Sequence, residues 1–482
     1  MQIFKTTLLL IWLGGLAPAV CLAQPAGVVY LPTVESLAQR RTPEWYGAAK
    51  LGIFVHWGLY SVPGWAETKV SVEHARDWRY FYRHNPYAEW YLNTLKIEGS
   101  PTQQWHRQQY GDTTDYYGFA PMFDRAAQAW QPSGWAKLFA EAGARYVVLT
   151  TKHHDGFRLW PSRVPNPLFA GPLNASRNLV GELAGAVRGQ GLRFGLYYSG
   201  GLDWTFYRSP ITNLYPDLFQ SKPTSLAYAA YAEAHYYELV HQFRPDVLWN
   251  DVGFPAKADP LGIFSELFNL NPGAVVNDRW ERYPQLADFT TPEYKVMDTI
   301  CARKWETCRG LGYSFGYNRN ETDREMLSPD ALVDLFVDIV SKNGNLLLNV
   351  GPMADGTIPP GQAHRLRELG RWLRANGAGI YGSRPHTVAA AQLPDGTPLR
   401  FTRQDGALYI FLLAKPARAT ITCPLATSLT PAQQAGLRVR LLGEPARPLP
   451  FRYLPKEQAL EVALPPDLPS DYAYTLEVRL VP

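Results

Sequence analysis

The chain has 482 residues, 46% of them hydrophobic and 19% charged, which excludes a disordered polypeptide and leaves room for one large domain plus a smaller one. Its formal net charge of +4, without a long Lys/Arg run, excludes nucleic acid as a partner. The 15 Trp and 28 Tyr read either as a large aromatic core or as flat rings on which a pyranose packs its C–H face.

Residues 1–23 read as a signal peptide. Lys5 supplies the positive region, Thr6 to Leu16 the apolar run, and Cys21-Leu-Ala23 a small-residue cleavage site. That run is too short to span a membrane. Lipid anchoring through Cys21 is the less favoured alternative, because Val20 before it is larger than such sites accept. The expectation is an exported chain, periplasmic or secreted, with no membrane span. Cleavage leaves Cys301, Cys308 and Cys423, an odd number, so at least one thiol is unpaired. Cys301 and Cys308 are close enough in sequence to bridge, but their spacing does not require it.

From about Pro43, short apolar strands alternate with amphipathic helices. The strands are Gly52-Ile-Phe-Val-His56, Arg145-Tyr-Val-Val-Leu-Thr-Thr151, Arg193-Phe-Gly-Leu-Tyr-Tyr198, Asp246 to Asn250, Ala274-Val-Val-Asn277 and Leu346-Leu-Leu-Asn-Val350. The helices between them are Ser133 to Glu141, Asn178 to Arg188, Leu226 to Phe243, and one capped by Ser328 with Pro329 in its first turn. This alternation predicts a parallel sheet and a (β/α)8-like barrel over residues 24–384, distorted across the weakly periodic stretch Trp280 to Gly316. Beyond Gly382 only strand patterns remain. Asp405-Gly406 between two apolar runs is a hairpin signal, so residues 385–482 are expected to form a C-terminal β-sandwich.

The strand ends carry chemistry. They are His56-Trp-Gly58, His153-His-Asp-Gly156, Tyr198 with Asp203-Trp204 beyond, Trp249-Asn-Asp251, and Asp278-Arg-Trp280. A lone buried His is usually a bonded core residue. A series of consecutive strand ends bearing His, Tyr, Trp, Asp and Arg is hard to account for by packing alone. The C-terminal ends of barrel strands are where active sites lie. A metal-dependent barrel hydrolase is one reading, but no His-x-His pair is present and the adjacent His153 and His154 would point to opposite sides of a continuing strand. Neutral imidazoles bonding sugar hydroxyls are the other.

Asp251 is the pivot. A carboxylate closing a buried strand is costly unless it is paired or used. A retaining glycosidase uses two carboxyl groups about 5–5.5 Å apart, one as nucleophile and one as acid and then base. Asp251 suits the nucleophile, with Arg279 as a cation to keep it charged. The acid could come from Glu281, Glu293 or Glu306, and spacing does not choose among them.

Five motifs, in order, resemble the α-L-fucosidases of glycoside hydrolase family 29. They are Leu51 to Pro63, Tyr146 to Phe157, Pro245-Asp-Val-Leu-Trp-Asn-Asp-Val-Gly-Phe-Pro255, Gly312 to Asn320, and Asn345 to Gly356. The likeness covers most of residues 43–384. Leu51 departs from it, standing where an aromatic is common. The resemblance implies hydrolysis of terminal α-L-fucosides with retention through a covalent fucosyl-enzyme, with no cofactor. The implied partner is a fucosylated oligosaccharide or glycoconjugate. It implies Asp251 as nucleophile and, from Thr291-Pro-Glu-Tyr294, Glu293 as acid/base. It implies a sugar pocket lined by His56, Glu89, Trp90, His153, His154, Tyr198, Trp249, Arg279 and Phe315, with Trp90 and Phe315 as an apolar wall for the C5 methyl. A catalytically inactive sugar-binding protein on the same fold is the remaining alternative.

Overall fold

The computed structural model describes residues 28–425, 429–443, 445–469 and 472–480. The leader read at residues 1–23, and Cys21 with it, lies outside these. Seven parallel strands curl into one sheet: β1 Leu51–Val55, β2 Tyr146–Lys152, β3 Arg193–Ser199, β4 Val247–Asp251, β5 Val275–Val276, β6 Trp305–Gly310 and β7 Gly344–Val350. Their spatial order is β5-β4-β3-β2-β1-β7-β6. The two edges approach through the segment 289–293. Single bridges join Phe289 to Asn277 on one side, and Thr290 to Trp305 and Glu293 to Cys308 on the other. An irregular segment therefore takes the eighth position of a (β/α)8-like barrel. The distortion expected over Trp280 to Gly316 falls at this seam, but that stretch also holds a regular strand, β6, that periodicity does not reveal.

β6 reads Trp-Glu-Thr-Cys-Arg-Gly, with no apolar run, yet every residue of it is buried. Its polar side chains find partners inside the barrel. Glu306 accepts hydrogen bonds from Tyr46 Oη (2.8 Å), from Tyr146 Oη and from Trp249 Nε1 (3.1 Å). A buried carboxylate with three donors replaces the usual aliphatic layer, and the free energy of those bonds offsets its desolvation.

The helices follow local rules where these are strong. Asn178 caps Leu179–Gly189 by accepting from Gly181 N, and Ser328 caps Pro329–Ser341 by accepting from Ala331 N. The helix Leu226–Phe243 ends at Arg244 in the left-handed region. The outer face of the sheet is covered by helices whose apolar stripes join one continuous core with the strands.

The C-terminal part holds β8 Arg384–Gln392, β9 Pro398–Gln404, β10 Ala407–Leu412, β11 Thr420–Pro424, β12 Leu437–Leu441, β13 Arg447–Pro448, β14 Phe451–Leu454, β15 Ala459–Ala463 and β16 Tyr474–Leu480. They form antiparallel sheets ordered β13-β12-β16-β10-β9-β8 and β11-β15-β14. The hairpin between β9 and β10 turns on Asp405 (φ 49°) and Gly406 (φ 74°), the positive-φ pair that a two-residue hairpin of the right twist needs. The larger sheet packs on the barrel. Tyr409 and Phe411 join the barrel core, and Trp372 Nε1 donates to Ala473 O at 2.8 Å.

Candidate active site

The C-terminal ends of the barrel strands converge on one cavity. Its lining includes Phe54, His56, Glu89, Trp90, His153, His154, Tyr197, Trp249, Asp251, Arg279, Glu293 and Phe315, with Tyr87 and Cys308 completing it. At the base, β4 delivers Trp249 and Asp251 to the inside, two residues apart, while Asn250 points outward to Tyr236 and Gly253.

Asp251 is held at both oxygens. Oδ1 accepts from Arg279 Nη1 (2.8 Å) and Val252 N (3.0 Å), and Oδ2 accepts from Tyr197 Oη (2.8 Å). Burial pushes its carboxyl up. The Arg279 charge, His154 and the Arg279 and Tyr197 hydrogen bonds outweigh that and leave it below the ordinary carboxylate value. The backbone just after it is strained. Val252 sits at φ 56°, which a β-branched residue rarely adopts, at a cost of about 1–3 kcal/mol. The following turn is possible because the β3 loop passes close by. Gly201 N donates to Asp251 O, and a Cβ on Gly201 would fall 1.7 Å from Val252 O.

Arg279 links two carboxylates. Nη2 donates to Glu293 Oε2 (3.2 Å) while Nη1 holds Asp251, and the guanidinium lies over the Trp249 ring with its carbon 4.7 Å from the centroid. Thr291, beside the seam, fixes the guanidinium from behind through Oγ1 (3.1 Å) and its carbonyl (3.1 Å). Glu293 Oε1 accepts from Tyr87 Oη at 3.0 Å.

Burial disfavours the charged form of the three histidines, and hydrogen bonds orientate His56 and His154. His56 Nδ1–H donates to Asn349 Oδ1 (2.6 Å), whose amide in turn donates to Phe315 O (2.6 Å), so His56 Nε2 is left as an acceptor toward the cavity. His154 Nδ1–H donates to Ser199 Oγ (2.6 Å), which itself donates to Leu202 O. Burial lowers the pKa of His56 to about 3 and that of His154 to about 4. His153 Nδ1 is buried with no partner. β2 ends at Lys152, so the two adjacent histidines are freed from strand alternation and both reach the cavity, their rings 4.0 Å apart. Glu89 accepts from Gly316 N (2.7 Å) and Ser314 Oγ (3.3 Å); burial raises its pKa to about 7, so near neutrality it can donate as well as accept.

Of the residues expected here, His56, Glu89, Trp90, His153, His154, Trp249, Asp251, Arg279, Glu293 and Phe315 lie together on this cavity. Tyr198 does not. Alternation along β3 sends its ring to the outer face, where its hydroxyl meets His235 Nδ1 at 2.9 Å and Lys152 Nζ stands 4.6 Å from the ring centroid. The tyrosine that β3 sends into the cavity is Tyr197, beside Trp249 in the β3–β4 register. Phe54, Tyr87 and Cys308 also escaped the sequence reading. Phe54 was recoverable, since it precedes His56 by two, and Cys308 follows Glu306 by two on β6. Glu306 lies beneath the cavity floor with its tyrosines. Glu281 is on the outside, ion-paired with Lys222. Cys301, Cys308 and Cys423 are free thiols; Cys308 Sγ stands 3.7 Å from Arg279 Nη2.

Comparison with known proteins places these features. A family model described as alpha-L-fucosidase matches residues 18–378. Human tissue alpha-L-fucosidase is 33% identical over 492 aligned positions, covering 98% of this chain and 96% of the relative. Among solved structures, a Thermotoga maritima alpha-fucosidase in complex with fucose superposes with a TM-score of 0.82 at 43% identity, covering 93% of this chain and all of that one. The same enzyme in complex with a mechanism-based inhibitor gives 0.83 at 43% identity, over 93% and 99%.

Proposed function

Given that the chain belongs to the α-L-fucosidase family and is a retaining glycoside hydrolase of fucosylated glycans, we propose that Asp251 is its nucleophile and Glu293 its acid/base. The observation that carries this reading is the carboxylate pair on one guanidinium, Asp251 and Glu293 on the two arms of Arg279 within a single cavity. Asp251 attacks the anomeric carbon as the glycosidic C–O bond breaks, and Glu293 gives its proton to the departing oxygen. A fucosyl ester on Asp251 results. Glu293, now ionised, takes a proton from water as that water attacks the same carbon and expels Asp251, so the configuration is retained after two inversions.

The other cavity residues bind the sugar in this reading. His56 Nε2, His153 and His154 accept from hydroxyls, Glu89 exchanges hydrogen bonds with them, and Trp90 and Phe315 pack on the methyl side. A hydroxymethyl there would bring an unpaired hydroxyl against aromatic carbon. Tyr197 takes the place in the pocket lining expected for Tyr198, and it also holds Asp251. We further take residues 24–384 as the catalytic unit, residues 385–482 as an accessory sandwich, and the leader as an export signal. No described helix is long and apolar enough to cross a membrane.

The test is Asp251→Gly with rescue. Turnover of an aryl α-L-fucoside should be lost with the fold retained, and azide should restore part of it by entering the space of the missing carboxylate. Undiminished turnover by Asp251→Gly would remove the assignment. For Glu293→Ala, the expected loss is about 10²–10⁴-fold on natural fucosides and much less on aryl fucosides whose leaving groups need no proton.

A further inference from the structure

The N-terminal ends of the barrel strands, on the face turned away from the catalytic cavity, meet the sandwich across a cavity of about 640 Å³. Lys50 lines it immediately before β1, Lys304 before β6 and Asn343 before β7, while Arg384, His386 and Arg403 face them from β8 and β9. Glu44 is the single acid on this lining among the described residues, and it is exposed. The two lysines are unusual in where their amines lie. Lys50 is 1% exposed, a burial that lysine almost never reaches without a paired anion. Lys304 Nζ is buried with no hydrogen-bond partner. The groups that act on the Lys50 amine are Arg384 and Lys304, both basic. Glu306 attracts Lys304 from the barrel side, but its oxygens already accept from Tyr46, Tyr146 and Trp249. Burial lowers the pKa of Lys50 to about 8 and, together with the Lys50 charge, takes that of Lys304 well below its ordinary value. The backbone is unusual at the same place. Lys50 lies at φ 61°, ψ −42°, between the helix Glu44–Ala49 and β1, in a region that a residue with a side chain rarely adopts.

Packing alone does not account for this arrangement. A methionine would fill the same space with no amine to desolvate, and a carboxylate beside the lysines would pair them within the chain. Neither is present. Cationic groups gathered on a cavity that no buried side-chain anion lines are completed by an anion from solution. We propose that this cavity is an anion site that takes a tetrahedral oxyanion of the phosphate class, free or as a monoester, between Lys50 and Lys304 at its floor and Arg384 and Arg403 at its exposed mouth. The volume leaves room for the group that an ester carries. The bound anion links the starts of β1 and β6 to the sandwich, so it stabilises the junction of the two parts. This site uses neither carboxylate of the catalytic cavity and stands independently of their assignment.

The experiment is calorimetric titration of the whole protein with inorganic phosphate and with glucose 6-phosphate, beside thermal unfolding in the same anions. Ionic strength is matched with sodium chloride, so that general screening is common to every sample. Phosphate or its ester should bind saturably and raise the unfolding midpoint above that in chloride; the tighter binder of the two identifies the source of the anion. Lys50→Met and Lys304→Met should each weaken binding by about ten-fold or more, as expected for a lost hydrogen bond between charged groups. Both should fold, because an apolar stem of similar length replaces a buried amine that has no anionic partner. Arg384→Gln changes an exposed side chain and leaves the buried groups in place. It should weaken binding by about two- to five-fold, and it keeps the test decisive if a lysine variant is unstable. No saturable binding, a midpoint no higher than in chloride, or undiminished affinity in the folded variants overturns the site.

Discussion

Removing one oxygen from Tyr197, and separately from its neighbour Tyr198, tests the cavity at its most specific point. Tyr197 Oη donates to Asp251 Oδ2 at 2.8 Å and both groups are buried. A hydrogen bond to a charged group contributes about 1.5–3 kcal/mol, so Tyr197→Phe should cost about 10- to 150-fold in kcat/KM if the bond holds the carboxylate in its attacking pose. The pH profile supplies the sign. The hydroxyl stabilises the ionised form of Asp251 and is one of the groups keeping its pKa below the ordinary value. Without it the ionised form is less favoured, and the acid limb of kcat/KM moves to higher pH. The deficit therefore grows as pH falls. Tyr198→Phe removes a hydroxyl whose partner is His235 Nδ1 at 2.9 Å, on the outer side of the strand. It should lose about 1 kcal/mol of stability and keep kcat/KM within about two-fold. The assay is steady-state hydrolysis of an aryl fucoside from pH 4 to 8 beside thermal unfolding. A large loss for Tyr198→Phe with little change for Tyr197→Phe would refute the register argument and the site built on it.

Other outcomes follow from the same geometry. Glu306→Gln turns one acceptor of a fully donated carboxylate into a donor, so it should destabilise the barrel by about 1–3 kcal/mol while preserving the leaving-group dependence that Glu293→Ala changes; chemical denaturation and paired substrates separate the two. His56 and His154, with pKa values lowered to about 3 and 4 by burial, should show neutral imidazole resonances at pH 5, whereas an exposed histidine titrates near 6.5. Since both are depressed below the unfolded value, the unfolded chain binds protons first as pH falls, and each contributes a loss of about 1.4 kcal/mol per pH unit between 6.5 and its folded pKa. Full activity after exhaustive chelation is expected, and its loss, restored by a divalent cation, would revive the metal-dependent reading.

How far the sequence could be read depended on whether a side chain announced its direction. Asp251 was legible because a carboxylate at the end of an apolar run has few reasons to exist. His153 and His154 were legible as a pair, though not that the strand stops at Lys152 and so lets both face inward. Tyr197 and Tyr198 were indistinguishable in type. Only the lateral register, Tyr197 against Trp249, decides which one is inside. β6 was invisible for another reason: it carries its hydrogen-bonding chemistry in the barrel interior, where periodicity rules expect aliphatics. The same strand settles where Glu306 lies, since its partners Tyr46 and Tyr146 are far from it in sequence. The hairpin at Asp405-Gly406, by contrast, needed no partner to be recognised, because its φ requirement is local.

The sharing of Arg279 bears on both halves of the reaction. In the free enzyme, on the proposed roles, Asp251 is ionised and Glu293 carries a proton. In the fucosyl-enzyme, Asp251 is an uncharged ester and Glu293 has given up its proton. The guanidinium thus faces one negative charge in each state, first on its Nη1 arm and then on its Nη2 arm, 2.8 and 3.2 Å away. The charge moves across a fixed cation that Thr291 and the Trp249 ring hold in place, and little reorganisation is required. A lysine could not serve in the same way, since a single ammonium has no planar fork with which to hold two carboxylates apart. Arg279→Lys should therefore slow formation and breakdown of the intermediate together, so that no ester accumulates on a substrate with a good leaving group. An accumulating fucosyl-enzyme would show that the cation serves only one of the two steps.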